Sequence, residues 1–577
     1  MTLCNLTEFF LPFRIINYNF ESKDVLSFKF GRINQHFMRL LLLGDEAIAL
    51  AAIHSGISGV YAYPGTPSTE ITEYIQNRQK ADPESERIFC KWCTNEKTAM
   101  EAALGMSYMG KRALVCMKHV GMNVAADAFV NSAMTGTNGG LVVVAADDPS
   151  MHSSQNEQDS RFYGKFAMIP VFEPSSQQEA YDMVRDAFDF SERRRIPVLL
   201  RITTRMAHSR AEVKTKTNPD GSECILPQKQ ISYPENPKQW VLLPANSKIR
   251  NEQLVQEQED FEEDSLNDRR NRFIPGEDKN LAIVTCGIAY NYLMENFPNG
   301  VPCGVLKISR YPVPRKLVKE MESEGVSRVI VMEEGQPFIE ESIKGMISSD
   351  IQVDGRLTGV LPRTGELTPD SVRAAVRLAP HKTFPKDNIV VPRPPALCQG
   401  CGHRDMYAAL NEVAAEYEHS RVFSDIGCYT LGALPPFRAI NTCVDMGASI
   451  TMAKGAADAG QFPSFAVIGD STFTHSGITG LLDCVNSNAN VVIIISDNLT
   501  TGMTGGQDSA GTGKLESICA GVGVDPAHIR VVVPLPKNME EIKNTLREEV
   551  EYNGVSVVIP RRECIQTFKR HAREKKK

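Results

Sequence analysis

Two apolar segments, SFAVIGD (Ser464–Asp470) and NVVIIISDN (Asn490–Asn498), decide how the C-terminal part of the chain folds. Both are rich in β-branched residues, and the stretch between them, GITGLLDCVNSN, has apolar residues at helical spacing. This pattern predicts a strand, a helix and a second strand, joined as a right-handed parallel crossover. Because parallel strands end at the same edge of a sheet, Asp470 and Asn498 should meet where open α/β folds bind ligands.

The side chains at these two strand ends suit a hard cation. A carboxylate from Asp470, the amide oxygen of Asn498 and a nearby backbone carbonyl are ligands that Mg²⁺ accepts, and Mg²⁺ often shares its coordination shell with phosphates. The glycine-rich LTTGMTGGQ, which begins directly after Asn498, lets backbone N–H groups approach an anion closely. The alternative is an ordinary crossover that happens to end in Asp and Asn.

Composition limits the class of protein. The chain has 577 residues, 42% of them hydrophobic, and a mean hydropathy of −0.23, which indicates several globular domains. No apolar run reaches the ~18–20 residues of a membrane span, so no membrane association is expected. The net charge of −7 gives no argument for a nucleic-acid partner. Fourteen cysteines in a long α/β chain favour reduced thiols or metal ligands in the cytoplasm over a disulfide framework.

The alternation of strand and helix patterns predicts an α/β protein with three doubly wound parallel-sheet domains. The acidic run QEQEDFEEDS is expected to be solvated linker, and the opening segment lacks the features of a secretory signal, which makes Met38 a candidate start. The predicted divisions are an appended N-terminal segment (1–37), a first domain (38–210), a polar and acidic linker (211–278), a middle domain (279–380), a second linker (381–395), a third domain (396–565) and a basic tail (566–577).

Two motifs in the first domain also point to a ligand. YPGTPSTE (Tyr63–Glu70) follows a predicted strand and opens a helix, so its N–H groups face the same carboxyl edge. Asn95 and Glu96 then begin a helix. A capping Asn with an acidic residue in the first turn is ordinary helix-start chemistry. The functional alternative is a buried carboxylate that touches a cofactor.

Taken together, the motifs resemble the large, thiamine diphosphate-bearing subunit of the indolepyruvate:ferredoxin oxidoreductase family, within the wider 2-oxoacid:ferredoxin oxidoreductases. One departure is Ser471, which stands where the diphosphate–magnesium motif usually has a glycine. The matching motifs run in family order over about residues 38–565 and are YPGTPSTE, TNEKTAMEAALG, MKHVGMN, WVLLPAN, TCGIAYNY, VMEEGQPFIE, LTGVLPRTGELTP, CQGCGHR, SDIGCYTLG, GDSTFTHSGI and NLTTGMTGGQ.

The resemblance implies a role for each domain and for particular residues. Domain 38–210 would bind the cofactor's pyrimidine, 279–380 would be a transketolase C-terminal-like domain, and 396–565 would bind the diphosphate and Mg²⁺. Glu96 would contact the aminopyrimidine ring, and Asp470, Asn498 and the Thr500 carbonyl would hold the metal. The remaining residues implied to contact the cofactor are Gly400, Cys401, Gly402, His403, Gly427, Cys428, Met446, Gly447, Gly469, Ser471, Gly502 and Met503.

The implied activity is oxidative decarboxylation of a 2-oxoacid, in this branch an aryl pyruvate such as indolepyruvate, with coenzyme A as acyl acceptor and ferredoxin as electron acceptor. Thr66 and His119 would lie near the substrate, although His119 could equally be a core histidine. The implied assembly is a homodimer of this chain with the small (beta) subunit of the same oxidoreductase. A non-redox thiamine diphosphate decarboxylase or carboligase, and a non-catalytic subunit, are the alternatives.

Four cysteines stand at element ends of the third domain. Cys398 and Cys401 precede it, Cys428 ends its first strand, and Cys564 follows its last strand. Relatives in the wider family use a similarly ordered set for a [4Fe–4S] cluster beside the cofactor. Glu563 replaces the proline usual before the last cysteine, and a structural zinc or buried thiols are the alternatives.

The branch normally ends in a ferredoxin-like module with two C-x₂-C-x₂-C-x₃-C-P runs, and this sequence contains none. We therefore expect either a truncated module or a separate polypeptide that carries the electrons onward.

Overall fold

The structure is a computed structural model that describes residues 36–574 except 84–86, 235, 383–384, 386 and 392–393. Its three large sheets have seven, five and six strands and are parallel except at two edges, which confirms the predicted α/β class. The predicted N-terminal segment lies outside the described residues apart from His36 and Phe37, which begin the first strand. None of the helices in the described part combines the length and apolar composition that crossing a bilayer requires.

The first region builds the seven-stranded sheet in the order β12-β6-β7-β5-β4-β2-β3, to which β12 is contributed by the middle region. Every position of β4, β5 and β7 is buried, as expected for parallel strands covered on both faces. The elements of the first region are β1 (His36–Leu43), α1 (Gly44–His54), β2 (Gly59–Ala62), α2 (Thr69–Ala81), β3 (Phe89–Trp92), α3 (Glu96–Tyr108), β4 (Ala113–Lys118), α4 (His119–Thr135), β5 (Leu141–Asp147), α5 (Arg161–Ala167), β6 (Val171–Phe172), α6 (Gln177–Arg194), β7 (Val198–Thr203), α7 (Thr204–His208) and β8 (Arg210–Thr217).

The middle region builds the five-stranded sheet in the order β14-β13-β10-β11-β9. Only β9 runs antiparallel among these strands. Its elements are α8 (Pro244–Leu266), β9 (Arg272–Ile274), β10 (Asp278–Cys286), α9 (Gly287–Asn296), β11 (Cys303–Ile308), β12 (Arg310–Tyr311), α10 (Arg315–Ser323), β13 (Arg328–Met332), α11 (Phe338–Lys344), β14 (Gln352–Asp354) and α12 (Pro369–Ala375).

The prediction of a solvated linker over 211–278 is wrong for the segments that form β8, α8 and β9. Strand β8 pairs antiparallel with β1, β9 joins the middle sheet, and the acidic run lies within α8. Leu254 and Phe261 are both buried, because residues seven apart share one face of a helix. Acidic residues on the helix are held by arginines of α6: Asp264 lies 2.6 Å from Arg194 Nε. The charge run is therefore the outer face of a packed helix.

The third region builds the six-stranded, fully parallel sheet β16-β15-β17-β18-β22-β21. A separate two-stranded ribbon pairs β19 with β20. The elements are α13 (Gly402–Ala414), β15 (Arg421–Ser424), β16 (Thr442–Cys443), α14 (Ala448–Asp458), β17 (Ser464–Gly469), α15 (Asp470–Thr472), α16 (Ile478–Ser487), β18 (Val491–Ser496), β19 (Thr500–Thr501), β20 (Gln507–Asp508), α17 (Leu515–Gly521), β21 (Ile529–Val532), α18 (Met539–Glu551), β22 (Val555–Pro560) and α19 (Ile565–Glu574).

The predicted basic tail over 566–577 is also corrected, because its described part is helix α19. Arg570 on this helix donates to the carbonyls of Gly505 and Gly506 at 2.8 and 2.9 Å. The helix thus holds the glycine-rich loop after β19. The 381–395 segment carries neither helix nor strand in the residues that the structure describes there.

The apolar core differs between the regions. One contiguous cluster extends from Leu42 to Ala375 and joins the first and middle regions. The third sheet has a cluster on each face, because successive side chains of a strand point to opposite sides. Phe465 of β17 belongs to one and Ala466 to the other.

A buried ionic network reinforces the junction of the first and middle regions. Arg201 on β7 lies 2.7 Å from Asp147 and 2.5 Å from Glu173, and all three are buried. The neighbouring Arg161 reaches Glu333, directly after β13, at 2.9 Å. Because every charge has a close partner, the network offsets much of its desolvation.

We expect Arg201→Met to destabilise the protein strongly, because it leaves Asp147 and Glu173 buried with one partner fewer. Breaking a buried pair costs about 3–5 kcal/mol of unfolding free energy, which urea denaturation followed by circular dichroism measures. Arg39→Met is the control, since Arg39 and its partner Glu212 are both more than half exposed and such pairs contribute about 0–1 kcal/mol. Equal unfolding midpoints for the two variants would contradict this view of the network.

Candidate cofactor site between the first and third sheets

The predicted crossover is confirmed. Strands β17 and β18 are parallel neighbours, joined through α16, with Gly469 paired to Ser496 at their ends. Asp470 follows β17 at once, and Asn498 lies two residues beyond β18. Both residues therefore lie at the carboxyl edge of the third sheet.

Asp470 has the properties of a metal ligand. Its side chain is buried, and its Oδ2 has no hydrogen-bond partner among the described residues. Burial, with the nearby charge of Asp497, raises the pKa of Asp470 to about 7. A buried carboxylate oxygen without a partner is costly, and a bound cation would satisfy it. The residue thus fits the Mg²⁺ role that the sequence predicts.

The Asn498 loop completes a polar edge next to Asp470. The Thr500 N–H donates to Asn498 Oδ1 at 3.2 Å. The hydroxyls of Ser471 and Thr501 are 2.9 Å apart, which ties the Asp470 segment to this loop. The donor set, a carboxylate, an amide and backbone carbonyls, is the oxygen-rich set that Mg²⁺ prefers.

Glu96 reaches this edge from the first region. Asn95 caps α3, since its side chain accepts from the Thr98 N–H at 2.9 Å, and its Nδ2 donates to the His475 carbonyl at 2.9 Å. Glu96 is buried, and its Oε2 lies 2.8 Å from His475 Nε2. A Cβ at Gly121 would stand 2.6 Å from Glu96 Oε1, so only glycine leaves room there. Helix capping explains Asn95, whereas Glu96 faces the third region.

Further contacts close the junction of the two regions. The hydroxyl of Tyr63, the first residue of the YPGTPSTE motif, lies 2.8 Å from the Ser471 hydroxyl. The centroids of the Tyr63 and His475 rings are 4.7 Å apart. Gln507 donates to Glu73 at 2.8 Å. A cavity of about 320 Å³ opens beside these contacts and is lined by Tyr63, Trp92, Thr94, Ser471, Thr501 and Ser509, among others.

Thr66, Lys118 and His119 form one surface of the first region, which we call the wall. The Thr66 carbonyl accepts from the Ser153 hydroxyl at 3.4 Å, and the Ser153 carbonyl accepts from Lys118 Nζ at 2.6 Å. His119 is buried, which lowers its pKa, and its Nδ1 has no hydrogen-bond partner within the described part of the chain. The substrate roles assigned to Thr66 and His119 stay predictions.

Sequence reasoning missed two groups at this site, His475 and Lys118. Both stand inside motifs already singled out, GDSTFTHSGI and MKHVGMN, but neither spacing nor composition marks them. Lys118 is buried, and burial lowers its pKa to about 8. It therefore remains mostly cationic at neutral pH and can pair with an anion.

Three further predicted cofactor residues, Gly427, Gly447 and Gly469, lie against Asp425 and Tyr429, which the sequence did not single out. Asp425 is buried and accepts from the Gly447 N–H at 3.2 Å and from the Ser449 hydroxyl at 2.7 Å. Gly447 has φ +100°, and a Cβ there would stand 2.6 Å from that of Ser476. Cβ atoms at Gly427 and Gly469 would both collide with the Tyr429 ring. Met446 is half-buried, and Met503 is 43% exposed at the rim.

The predicted cysteine set lies beside the Asn498 loop. Burial, then the charges of Cys398 and Cys564, raise the pKa of Cys401 to about 11. The Cys564 N–H donates to the Asn498 carbonyl at 3.0 Å. A Cβ at Gly502 would lie 3.4 Å from Cys428 Sγ and 3.7 Å from Asn498 Nδ2. The structure thus brings Cys398, Cys401 and Cys564 into one neighbourhood and places Cys428 on the cofactor side of the loop.

The predicted residues Gly400, Gly402 and His403 belong to the same neighbourhood. Cβ atoms at Gly400 and Gly402 would lie 3.1 Å from Ile565 and 3.3 Å from Arg562. His403 packs edge-on against Tyr429, and burial lowers the pKa of His403 to about 4. These residues line the cysteine segment and do not reach the Glu96 contact directly.

Comparison with known families defines the class of protein. Residues 425–559 match the C-terminal TPP binding domain of thiamine pyrophosphate enzymes. Residues 50–271 match the thiamine diphosphate-binding domain of pyruvate flavodoxin/ferredoxin oxidoreductases. The two matched ranges contain Asp470 and Glu96, respectively. The chain is therefore a thiamine diphosphate-binding oxidoreductase of the type that the sequence motifs predicted.

Relatives along nearly the whole chain narrow the family. Indolepyruvate oxidoreductase subunit IorA of Archaeoglobus fulgidus is 37% identical over 569 residues, which cover 93% of this chain and 88% of that protein. The IorA subunit of Pyrococcus abyssi is 38% identical, covering 91% and 86%. This chain belongs to the IorA family of indolepyruvate oxidoreductase subunits. A solved 2-oxoglutarate:ferredoxin oxidoreductase from Magnetococcus marinus aligns over 59% of this chain and 65% of that one, at 16% identity and a TM-score of 0.45.

We expect Asp470→Ala to weaken Mg²⁺-dependent binding of thiamine diphosphate about thirtyfold or more, because the metal would lose a buried anionic ligand. Titration calorimetry with the cofactor and Mg²⁺ measures this loss. Asp483→Ala on α16 is the control, since that carboxylate is 65% exposed. Wild-type affinity in the Asp470 variant would remove Asp470 from the metal site.

Proposed function

We propose that this chain catalyses the thiamine diphosphate-dependent oxidative decarboxylation of an aryl 2-oxoacid such as indolepyruvate, with coenzyme A as acyl acceptor and ferredoxin as electron acceptor. The observation that carries the proposal is the buried Glu96 carboxylate facing the strand ends that bear Asp470 and Asn498. The substrate class rests on the names of the full-length relatives, which are indolepyruvate oxidoreductase subunits.

When bound, thiamine diphosphate supplies the nucleophilic carbon and the electron sink for decarboxylation. The chain's own residues bind and orient that cofactor. Asp470, Asn498 and the Thr500 carbonyl would hold Mg²⁺, which would supply positive charge to the diphosphate. The Glu96 carboxylate would contact the aminopyrimidine ring and hold a proton there. The 2.8 Å contact with His475 Nε2 would fix the orientation of the buried Glu96 carboxylate.

The wall formed by Thr66, Lys118 and His119 would bind the substrate's carboxylate. Lys118 is the cation of this wall, and its Nζ is held by the Ser153 carbonyl. A pKa of about 8 leaves it protonated at neutral pH and therefore able to pair with a 2-oxoacid. Lys118 and His119 are buried, and exclusion of water around them would strengthen such a charge pair.

We propose further that Cys398, Cys401, Cys428 and Cys564 ligate one [4Fe–4S] cluster that takes electrons from the cofactor. The support is the shared neighbourhood of three of these thiols and the position of Cys428 beside Asn498 and Gly502. Four thiolates are the usual ligand set of such a cluster. A cluster there would adjoin the metal-binding loop.

The proposed assembly is a homodimer of this chain with the small subunit of the same oxidoreductase. The relatives' names, which call them subunits, support a second polypeptide, whereas the homodimer stays a prediction. The cytoplasmic location predicted from the cysteine usage stays a prediction. None of the cysteines in the described part of the chain forms a disulfide.

The decisive experiment is an anaerobic assay of the chain, alone and with its small subunit, using indolepyruvate, coenzyme A and ferredoxin. We expect acyl-CoA formation and ferredoxin reduction only in the presence of both subunits. Aldehyde or ketol products without bound iron would select the non-redox decarboxylase or carboligase instead. Failure to bind thiamine diphosphate with Mg²⁺ would indicate a non-catalytic subunit.

We expect Glu96→Gln to lower turnover about 10²–10⁴-fold, because the nearly isosteric amide removes the anionic acceptor of a proton. Steady-state rates with 2-oxoacid measure the loss, and thermal unfolding checks that the variant still folds. Glu101→Gln on the same helix is exposed and serves as the matched control. A loss smaller than about tenfold would reduce Glu96 to an ordinary helix-start residue.

We expect anaerobically purified protein to hold about four iron atoms per chain and Cys401→Ser to hold almost none, because the cluster needs all its thiolates. Iron and sulfide analysis measures this difference. Cys443→Ser is the control, since that thiol is exposed and outside the proposed ligand set. Zinc in place of iron would identify the site as structural.

A further inference from the structure

A second cluster of metal-ligating side chains lies in the first region, apart from the cofactor site. Asp45 is the second residue of α1, Glu70 the second of α2, and His208 the last of α7. One ligand atom from each lies within 4.8 Å of the other two. The three residues come from distant parts of the sequence, so their meeting is a product of the fold.

Asp45 lacks any partner that would explain its burial. It is 0% exposed, and neither carboxylate oxygen has a hydrogen-bond partner among the residues that the structure describes. The charges that act on it come from Glu70 and Glu46, which are also acidic. A buried carboxylate that faces other carboxylates either takes up a proton or is stabilised by a cation that lies between them.

The other two side chains are placed as ligands of one ion. His208 Nε2 lies 3.5 Å from Glu70 Oε1. Two ligands about 2.1 Å from a tetrahedral ion stand about 3.4 Å apart. The side chains of His208 and Glu70 are about one-third exposed, at 30% and 32%. The atoms His208 Nε2 and Glu70 Oε2 are nevertheless buried, and, like both oxygens of Asp45, they have no hydrogen-bond partner among the described residues.

We propose that Asp45, Glu70 and His208 bind one divalent first-row metal ion. One imidazole and two carboxylates suit Mn²⁺, Fe²⁺ or Zn²⁺, and three protein ligands leave a position for water. The site shares no residue with the Asp470 site and does not depend on the proposed activity.

The bound ion would fasten α1, α2 and α7 to one another beside the cofactor. Helix α2 begins with Thr69, whose hydroxyl accepts from the Gly65 N–H at 3.0 Å. This contact anchors the turn that carries Thr66. An ion at Glu70 would therefore stabilise the start of α2 and, through it, the YPGTPSTE loop.

The test uses the full chain, free of thiamine diphosphate, in an Asp470→Asn background that disables the cofactor's metal site. Mn²⁺ is the probe, because carboxylates bind it well whereas thiolates such as Cys398 and Cys401 prefer softer ions. Calorimetry and electron paramagnetic resonance count the bound ions. We expect one Mn²⁺ per chain and a rise in the unfolding temperature when it binds.

Adding Asp45→Asn or His208→Gln to that background should each abolish the bound Mn²⁺ and the rise in unfolding temperature. The asparagine is nearly isosteric with Asp45, and His208 is partly exposed, so at least one variant should fold. Glu212→Gln, on the exposed face of β8, should keep both signals. No Mn²⁺ bound in the Asp470→Asn chain, or unchanged binding in a folded Asp45 or His208 variant, would overturn the site.

Discussion

The contact between Glu96 and His475 determines how the first and third sheets can serve a single ligand. The two residues are far apart in the chain, and their side chains meet at 2.8 Å with both groups buried. Neighbouring contacts depend on the same approach, including Tyr63 with Ser471 and Asn95 with the His475 carbonyl. Helix starts of the first region and strand ends of the third therefore meet at this junction, where backbone N–H groups and carboxylates lie close to one another. The approach of these edges of the first and third regions forms the candidate cofactor site.

Burial of charge has a different consequence in each part of the protein. Arg161 and Arg201 are buried with several carboxylates, so those charges are paired and hold the first and middle regions together. Asp470 and Asp45 are buried with carboxylate oxygens that lack hydrogen-bond partners among the described residues. A fold tolerates such groups when a ligand satisfies them. The contrast separates carboxylates that stabilise the fold from the two carboxylates that we propose as cation ligands.

The sequence predicted local features well and contacts between regions poorly. Strand β17 and the position of Asp470 followed from a continuous, mostly apolar run, which is the pattern of a buried parallel strand. Helix α8 was mistaken for linker because acidic residues outnumber the buried Leu254 and Phe261, and only tertiary packing reveals that face. His475 was missed because its partner Glu96 begins a helix of the first region, 379 residues away in the sequence. Asp45 was missed because no local sequence pattern marks a buried carboxylate that lacks hydrogen-bond partners among the described residues.

The central claim is that one thiamine diphosphate molecule bridges Glu96 and the Asp470–Asn498 edge within this chain. A crystal structure of the chain with thiamine diphosphate and Mg²⁺ tests it most directly. The account predicts the aminopyrimidine within hydrogen-bond distance of the Glu96 carboxylate. It also predicts that Asp470, Asn498 and the Thr500 carbonyl bind the metal at the diphosphate of the same cofactor molecule. A cofactor bound without Glu96, or with its diphosphate away from Asp470, would contradict the account.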